Sequence, residues 1–344
     1  MRLTDQAPEL RATLLRMLAD PADAAIPDAA LRLAITDLRP KLLLKLASWQ
    51  MWVSPTPENR RRFLRLRRIG TGRNYRLSVL PKVTAARTVE FGDGLSLRFI
   101  EDHPAAEQFM RFVMPKGTVH EPALVEHLRR SVRPGDVIVD VGAHVGYVAC
   151  VAAALGATVF AVEMQPTLIP MIQLNAALND LWRIHPLCAA VGDRSGLVPI
   201  MRASPTPGSQ ASIAPWERND FPLASLNHDW VPCLTLDGLF ERMPAPSLVK
   251  IDIEGAEGLA LAGARTVIAS GETRFLVEIH AHRIADYGST LADILAPFDA
   301  ERWTLSLLGP DGPVPLSHAD FLDPAGPIAA HAHNAPVLFE PRRR

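Results

Sequence analysis

Residues 137–163, VIVDVGAHVGYVACVAAALGATVFAVE, constrain the fold of this chain more than any other stretch. Between Asp140 and Glu163 the run has no formal charge apart from the titratable His144, and its length approaches the roughly 20 residues of a membrane span. Three glycines interrupt it, however, and its ends, VIVDV and TVFAVE, have the β-branched and aromatic composition of buried strands. The run therefore predicts a strand, a glycine turn, an alanine-rich helix and a second strand, and not a transmembrane helix.

The composition narrows the class of protein. A chain of 344 residues with 48% hydrophobic residues can bury a large core, and a net charge of −1 lacks the overall basic field of general nucleic-acid binders. Cys150, Cys188 and Cys233 lie in apolar surroundings without CxxC spacing, which fits a reducing compartment better than a disulfide framework or a zinc site. The N-terminus has no secretory signal pattern, so we expect a cytoplasmic protein. The oligomeric state is not indicated.

The order of predicted elements indicates an α/β fold. Strands and helices alternate after residue 137, which predicts a Rossmann-like, doubly wound, mostly parallel sheet with helices on both faces. We place this domain at 76–344, with a core at 121–282 and C-terminal edge strands at 300–340. A hairpin is predicted at 88–100, where TVEFGDGLSLRFI has turn glycines between alternating segments. Residues 1–75 read as a helical N-terminal extension.

Two segments outside the predicted strands bear on partners. The run from Arg60 to Arg68 places arginines around a small apolar edge, which suits peripheral contact with an anionic surface, although such charge runs are more often solvated faces. The Pro/Ser-rich segment 203–227 is expected to cover the side of a ligand cleft where a substrate binds, and to set the specificity for that substrate.

The opening stretch also has the features of a nucleoside site. In doubly wound sheets, ligands bind at the carboxyl ends of the strands where the strand order reverses. Asp140 ends the first predicted strand, GAHVG follows it, and Glu163 ends the second strand, where a carboxylate can accept both ribose hydroxyls. The spacing is GxxxG rather than GxGxxG and no P-loop lysine follows, which favours S-adenosylmethionine over NAD or ATP. A purely structural strand-to-helix turn is the alternative.

Two later motifs, VKIDIEGAEG and VEIH, supply ionisable side chains: Lys250, Asp252, Glu254, Glu257, Glu278 and His280. If both motifs end neighbouring strands, four of these side chains meet at one cleft, where they can deprotonate a hydroxyl or hold a divalent cation: Asp252, Glu254, Glu278 and His280. The alternative for some of these charges is a structural ion pair, such as one between Glu257 and Lys250 or Arg265.

If the cofactor is S-adenosylmethionine, the turn after the fourth predicted strand suggests which kind of group accepts the methyl. It reads DIEG, whereas methyltransferases that act on base amines usually carry an Asn/Asp-Pro-Pro-aromatic turn there. A carboxylate-rich turn favours a hydroxyl acceptor. We predict Asp252 or Glu254 as the base and His280 as the alternative base, with His282 as a further candidate. No metal site is predicted, and a Mg-type ion is an open alternative.

The motifs DVGAHVGY, AVEMQP with LNAALN, CAAVGD, LTLDGL, LVKIDIEGAEGLALAGA and VEIH, taken in order over about residues 121–280, resemble the FkbM family of class I S-adenosylmethionine-dependent methyltransferases. The Lys-x-Asp-x-Glu-Gly-x-Glu run is the specific part. The resemblance implies a Rossmann-like core, S-adenosylmethionine as cofactor, and O-methyl transfer to a small-molecule or glycan acceptor: a sugar, glycolipid, polysaccharide or secondary metabolite.

Together, the motifs and the resemblance predict these cofactor-binding residues: Glu121, Asp140, Gly142, Ala143, His144, Gly146, Glu163, Met164 and Ala190. Two positions depart from the family pattern. His144 stands where an asparagine is usual, which alters a contact near the methionine part of the cofactor. Met164 stands where a proline usually follows the acidic residue, which loosens the adenine-side turn.

Two functions of other kinds remain alternatives at this point. The first is a non-catalytic binding protein that retains the methyltransferase fold and docks on an anionic surface through its basic N-terminal segment. The second is an N-methyltransferase that acts on protein or nucleic acid.

Overall fold

A computed structural model of the chain describes residues 85–202, 211–213, 228–241, 243–331 and 334–342. All of these residues belong to one compact unit, Val83–Arg344. The predicted helical extension at 1–75 and the Arg60–Arg68 run lie outside the described residues and stay predictions. The segment 203–227 also lies outside them, except for 211–213.

The described strands, in chain order, are β1 (Ala86–Glu90), β2 (Ser96–Ile100), β3 (Val137–Val141), β4 (Thr158–Glu163), β5 (Ile184–Cys188), β6 (Ala190–Val191), β7 (Gly196–Arg202), β8 (Ala211–Ile213), β9 (His228–Leu234), β10 (Leu248–Ile251), β11 (Arg274–Ile279), β12 (Trp303–Gly309), β13 (Gly312–Leu316) and β14 (Ala335–Pro341). The described α-helices are α1 (Pro104–Gln108), α2 (Pro122–Ser131), α3 (Tyr147–Ala154), α4 (Ile169–Leu178), α5 (Leu236–Phe240), α6 (Glu257–Ala262), α7 (Arg265–Ser270), α8 (Leu291–Leu295), α9 (His318–Leu322) and α10 (Pro327–Ala330). A π-helical segment spans Phe109–Val113, and a 3-10 helix spans Ile284–Tyr287.

The central sheet has eight strands in the order β13-β12-β14-β11-β10-β3-β4-β5. Strands β5, β4, β3, β10 and β11 are parallel to their neighbours within this group. The chain runs outward from β3 through β4 to β5 and then returns to β10 on the other side of β3, so the strand order reverses between β3 and β10. Because parallel crossovers are right-handed, the helices of the two halves lie on opposite faces. The predicted doubly wound fold is confirmed.

The stretch 137–163 forms β3, α3 and β4, as predicted. Residues 147–153 of α3 are all buried, as expected for a helix without a polar face, and β3 and β4 pair in parallel. Within the part of the chain that the structure describes, no helix has both the length and the apolar character of a membrane span.

The C-terminal strands differ from the expected arrangement at the sheet edge. Of the three C-terminal strands, β13 lies at the sheet edge, whereas β14 lies between β11 and β12 and is antiparallel to both. Three consecutive residues of β14, Val337, Leu338 and Phe339, are buried. Burial of successive residues means that both faces of the strand are covered, which is the situation of an interior strand.

A second, four-stranded sheet in the order β6-β9-β7-β8 was not predicted. The sequence IHPLCAAVG, expected to form one strand, divides into β5 in the central sheet and β6 in this second sheet. Strands β7 and β9 pair antiparallel across the Pro/Ser-rich segment. This pairing is long-range, so local periodicity could not reveal it.

The predicted hairpin is present as β1 and β2. Two asparagines, one in α4 and one directly after it, attach the hairpin to the core. Asn175 accepts from the Ile100 backbone N–H (3.0 Å) and donates to the Val145 carbonyl (2.8 Å). Asn179 accepts from the Arg98 N–H and donates to the Arg98 carbonyl, each at 2.7 Å. The hairpin is therefore fixed beside the glycine turn that follows β3.

An aromatic cluster fills the core between the C-terminal strands and the helices over them. Phe298, 1% exposed, stacks on Phe339 with ring centroids 4.1 Å apart and meets Trp303 edge to face at 5.0 Å. Phe275 also meets Phe298 edge to face. Such pairs add to the stability gained by burial alone.

Replacing Phe298 by alanine should lower the free energy of unfolding by about 3–5 kcal/mol, because it empties a buried aromatic site. Phe112, which is 70% exposed, is the matched control, and Phe112→Ala should change stability by less than about 0.5 kcal/mol. Urea unfolding at neutral pH measures both values. Equal losses in the two variants would contradict the assignment of this cluster to the core.

Candidate active site

A cavity of about 430 Å³ opens at the carboxyl ends of the parallel strands, where the strand order reverses. Six of the residues predicted to bind a cofactor line it: Glu121, Gly142, His144, Glu163, Met164 and Ala190. The predicted catalytic residues Asp252, Glu254 and His280 line the same cavity. The structure thus brings the two predicted groups together, while their roles stay predictions.

The glycine turn after β3 forms part of the cavity floor. Gly142 has φ of +84°, and a Cβ atom at this position would lie 1.9 Å from the backbone carbonyl oxygen of Asp252. Only glycine allows the chain end of β3 to approach that of β10 so closely. Gly142 and Ala143 donate their N–H groups to the Val162 carbonyl, which connects the turn to β4.

Glu163 is held at the end of β4 by two backbone donors. Its Oε2 accepts from the His144 N–H and its Oε1 from the Gln165 N–H, each at 2.8 Å. Burial raises the pKa of Glu163 to about 7, although these hydrogen bonds oppose the shift. Each carboxylate oxygen has a second lone pair, so the ionised group can accept further hydrogen bonds from a ligand in the cavity.

Asp140, Ala143 and Gly146, also predicted to bind the cofactor, do not line the cavity. Asp140 is fully buried in β3, and its carboxylate oxygens meet no hydrogen-bond partner among the described residues. Burial raises the pKa of Asp140 to about 6, against the opposing charge of Lys250. Gly146 instead packs against Ile172 of α4. These three residues lie outside the cavity lining, and a contact with the cofactor, directly or through the glycine turn, stays a prediction for them.

Lys250 is a buried cation beneath the acidic side of the cavity. Its Nζ lies 2.9 Å from Asp252 Oδ2 and 3.7 Å from Glu278 Oε1. Burial by itself would lower the pKa of Lys250, but the surrounding carboxylates raise it well above its usual value. Lys250 is therefore charged and provides the cation of this carboxylate cluster.

Glu121 and Glu278 form a second carboxyl pair at this wall. Burial and the negative charges of Asp252 and Glu121 raise the pKa of Glu278 well above its usual value. Burial would also raise the pKa of Glu121, but the hydrogen bond with His120 and the charge of Lys250 lower it to about 2. Glu278 thus holds the proton of the pair. It also accepts a hydrogen bond from Asn334.

His280 directly follows β11 and is paired with Glu257 at the start of α6. The Nδ1 atom of His280 lies 2.9 Å from Glu257 Oε1, and its Nε2 lies 3.6 Å from Glu254 Oε2. Burial lowers the pKa of His280, but Glu257 and the neighbouring carboxylates outweigh it and raise the pKa above the usual value. Glu257 thus pairs with His280 and not with Lys250 or Arg265. His282 is exposed and lies outside the cavity lining.

Two sets of side chains have ligand atoms close enough to hold a metal ion: Asp252, Glu254 and His280, and Glu121, Asp252 and Glu278, each within 4.8 Å. Lys250 already pairs with Asp252, and Arg283 donates to Glu254 at 2.8 Å. These cations provide the charge compensation that a metal would supply. The arrangement therefore does not favour a metal site.

Three cavity-lining residues other than glycine have left-handed backbone conformations. Glu121, His144 and Glu254 have φ of 47°, 49° and 59°. This region is sparsely populated by residues with a side chain, and such strain is concentrated at functional sites. All three side chains were predicted site residues, and their unusual backbone geometry independently supports a functional cavity.

Comparisons with known proteins agree with this architecture. A family model described as the methyltransferase FkbM domain matches residues 140–301. Residues 140–301 are thus similar to the methyltransferase FkbM domain. The predicted resemblance is thereby confirmed, and it covers the glycine turn, Glu163 and the acidic motifs of this chain.

Among solved structures, the FkbM methyltransferase of Methylobacillus flagellatus KT is 17% identical with a TM-score of 0.35 and covers 62% of this chain. This chain spans 50% of that protein. A precorrin-6y C5,15-methyltransferase of Geobacter metallireducens GS-15 is 11% identical with a TM-score of 0.36, covering 67% of this chain and 92% of its own. An rRNA methylase of Streptococcus thermophilus is 10% identical with a TM-score of 0.37, covering 64% and 94%. These TM-scores are low, so the fold assignment depends on the strand order of this chain and on the family match. A search of curated proteins finds no match.

Part of the cavity wall comes from outside the FkbM domain. Phe109 and His120 line it from the segment between β2 and α2, and Asn334 lines it from the segment before β14. Sequence reasoning missed these three because they belong to no motif. Gln165 also lines the cavity, and its position two residues after Glu163 could have indicated it.

Replacing Lys250 by methionine should lower the free energy of unfolding by about 3–5 kcal/mol at pH 8, because the buried carboxylates lose their cation. The loss should be smaller at pH 5.5. Without Lys250, buried carboxyls take up protons in the folded state at pH values where they are ionised in the unfolded chain, so stability falls as pH rises.

Urea unfolding at the two pH values measures this difference, with Lys116→Met, at an exposed position, as the control. A pH-independent loss in Lys250→Met would contradict the role of Lys250 as the cation of the carboxylate cluster.

Proposed function

We propose that this chain is an S-adenosylmethionine-dependent methyltransferase that acts on a hydroxyl oxygen. The observation that carries the proposal is the placement of Glu163 and the His280–Glu257 pair on one cavity at the reversal point of the sheet. Glu163 offers an acceptor for a ribose, and His280 offers a base for a hydroxyl.

The residues around Glu163 fit an adenosyl cofactor. The ionised Glu163 carboxylate retains lone pairs for two ribose hydroxyls, and Gly142 leaves the strand end open to close approach. The apolar side chains of Met164 and Ala190 line the same side of the cavity and can flank a base. When bound, S-adenosylmethionine supplies the methyl group: an O–CH3 bond forms, the S–CH3 bond breaks with its electron pair going to sulfur, and the acceptor loses a proton.

His280 is the best-placed group to take that proton. Asp252 and Glu254, the bases favoured from sequence, are each engaged in an ion pair with a cation, Lys250 and Arg283 respectively. His280 instead faces carboxylates, which makes it a stronger base than an ordinary histidine. We therefore assign His280 as the general base.

The charge of this wall also bears on the acceptor. Glu121, Asp252 and Glu254 face the cavity. Carboxylates accept hydrogen bonds from neighbouring hydroxyls and repel phosphates. We propose a neutral polyhydroxyl acceptor, such as a sugar, a glycan, a glycolipid headgroup or a hydroxylated secondary metabolite. A nucleic-acid acceptor is disfavoured.

S-adenosylmethionine should bind more tightly as pH rises from 6 to 8, because the ribose hydroxyls donate to the ionised form of Glu163, whose pKa is about 7. Replacing Glu163 by glutamine should weaken binding roughly 10- to 100-fold at pH 8 and remove most of the pH dependence. Isothermal titration calorimetry measures both effects.

Glu301→Gln, at an exposed position, is the control for that titration and should bind like the unmodified chain. Tight binding that is indifferent to Glu163→Gln would contradict the ribose assignment. Failure of the unmodified chain to bind would favour the non-catalytic alternative.

Methyl transfer is tested with S-adenosylmethionine labelled in its methyl group, offered with methyl glycosides of neutral hexoses, a hexose phosphate, a basic protein and RNA. We expect alkali-stable label in a neutral glycoside and a rate reduced roughly 100-fold or more in His280→Gln, as is usual for loss of a general base. Label only in protein or RNA, or a glycoside rate that His280→Gln leaves unchanged, would refute hydroxyl methylation by His280.

A further inference from the structure

Glu257 is completely buried, with 0% exposure, yet it lies next to the cavity. Its Oε1 accepts the Gly255 backbone N–H at 2.8 Å and lies 2.9 Å from His280 Nδ1. Its Oε2 has no hydrogen-bond partner within the described parts of the chain. Because a buried carboxylate is costly unless it is paired, the contact with His280 provides compensation that the Gly255 N–H alone does not supply.

The pair determines which nitrogen of His280 faces the cavity. A carboxylate at Nδ1 favours the tautomer with the proton on Nδ1, which leaves the lone pair on Nε2. Nε2 lies 3.6 Å from Glu254 Oε2 and 3.9 Å from Asp252 Oδ1, and both distances exceed a normal hydrogen bond. The basic nitrogen, Nε2, thus faces the cavity beside two carboxylates and is not hydrogen-bonded to either of them.

We propose that Glu257 is the positioning residue of a Glu257–His280 dyad, which sets the tautomer of His280 and stabilises its imidazolium after proton uptake. The catalytic role of this dyad rests on the proposed function. The proton moves from the acceptor hydroxyl to His280 Nε2, while Nδ1–H stays hydrogen-bonded to Glu257. Glu257 itself does not touch the acceptor.

The charges around His280 come from three elements. Glu257 faces it from α6, while Asp252 and Glu254 face it from the turn after β10. Lys250 and Arg283 lie behind those two carboxylates and reduce their effect. The His282 ring, on the segment after β11, lies 6.3 Å from that of His280. Glu257 makes the shortest contact, so its removal should affect His280 more than loss of any other group.

A purely structural role, in which the pair only attaches α6 to β11, is less consistent with the packing nearby. A Cβ atom at Gly258 would lie 2.4 Å from Ser289 Oγ, and one at Gly255 would lie 2.8 Å from Arg283 Cβ. Close glycine contacts therefore already join this turn and α6 to the segment after β11. The buried charge is not needed for that attachment, and its cost is better explained by an effect on His280.

The state of His280 can be measured without an acceptor. In the full chain labelled with 15N-histidine, NMR titration reports the pKa and tautomer of each ring, and His280→Gln identifies the His280 signals. The neutral ring of the unmodified chain should carry its proton on Nδ1. In Glu257→Gln the pKa of His280 should fall by about one unit or more, because a buried negative partner is lost, and the proton should move toward Nε2.

Two further variants complete the NMR comparison. Glu257→Asp keeps the charge and should give an intermediate pKa, whereas Glu272→Gln, at an exposed position, should leave the His280 signals unchanged. An unchanged pKa and tautomer in folded Glu257→Gln would overturn the dyad. If Glu257→Gln does not fold, Glu257→Asp is compared with the unmodified chain instead. An unchanged pKa and tautomer of His280 in that variant would likewise overturn the dyad.

The catalytic consequence is read from the pH dependence of kcat for the glycoside methylated by the unmodified chain. In Glu257→Gln, kcat should fall roughly 100-fold or more, its acid limb should move to lower pH, and KM for S-adenosylmethionine should change less than about 3-fold. Unchanged kcat with an altered NMR titration would overturn the positioning role. If no S-adenosylmethionine binds, the proposed function fails, while the NMR result still decides whether the dyad exists.

Discussion

The ion pair between Lys250 and Asp252 is the interaction on which the acidic side of the cavity depends. Lys250 is buried in β10, at the point where the strand order reverses, and it also approaches Glu278 of β11. Without a cation here, the carboxyl groups that meet at this point would be protonated, because burial disfavours their charged form. By pairing with these carboxylates, Lys250 allows charged side chains to line the cavity next to the apolar core of the sheet.

That wall and the opposite one differ in their electrostatics. On the side of β4, burial outweighs the two backbone donors at Glu163 and raises its pKa to about 7, and the carboxylate retains lone pairs for hydroxyl donors. On the side of β10 and β11, carboxylates surround His280 and make the ring more basic. One side is therefore suited to recognition of a ribose and the other to removal of a proton. The O-methyl transfer proposed above needs both within one cavity.

Much of this could be anticipated from the chain alone, and the misses have physical reasons. Asp140 was predicted from its position at a strand end; because strand side chains alternate between faces, its carboxylate is fully buried and lies outside the cavity lining. The second sheet was missed because β7 and β9 pair across a long irregular segment. Asn334 was missed because β14 enters the sheet between β11 and β12, an insertion that hydrophobic periodicity cannot reveal.

Glu257 shows most clearly which features the sequence determines and which depend on the tertiary structure. The sequence by itself determined the alternation of strands and helices, the glycine turn at Gly142 and the placement of Glu163 and Asp252 at strand ends, because these follow from local periodicity and from the parallel order that it implies. Only the tertiary structure decided that Glu257 pairs with His280 rather than with Lys250 or Arg265, and that Lys250 engages Asp252 instead. Partner choice among buried charges depends on distances of a few ångströms between separate elements, and the spacing of residues along the chain does not contain those distances.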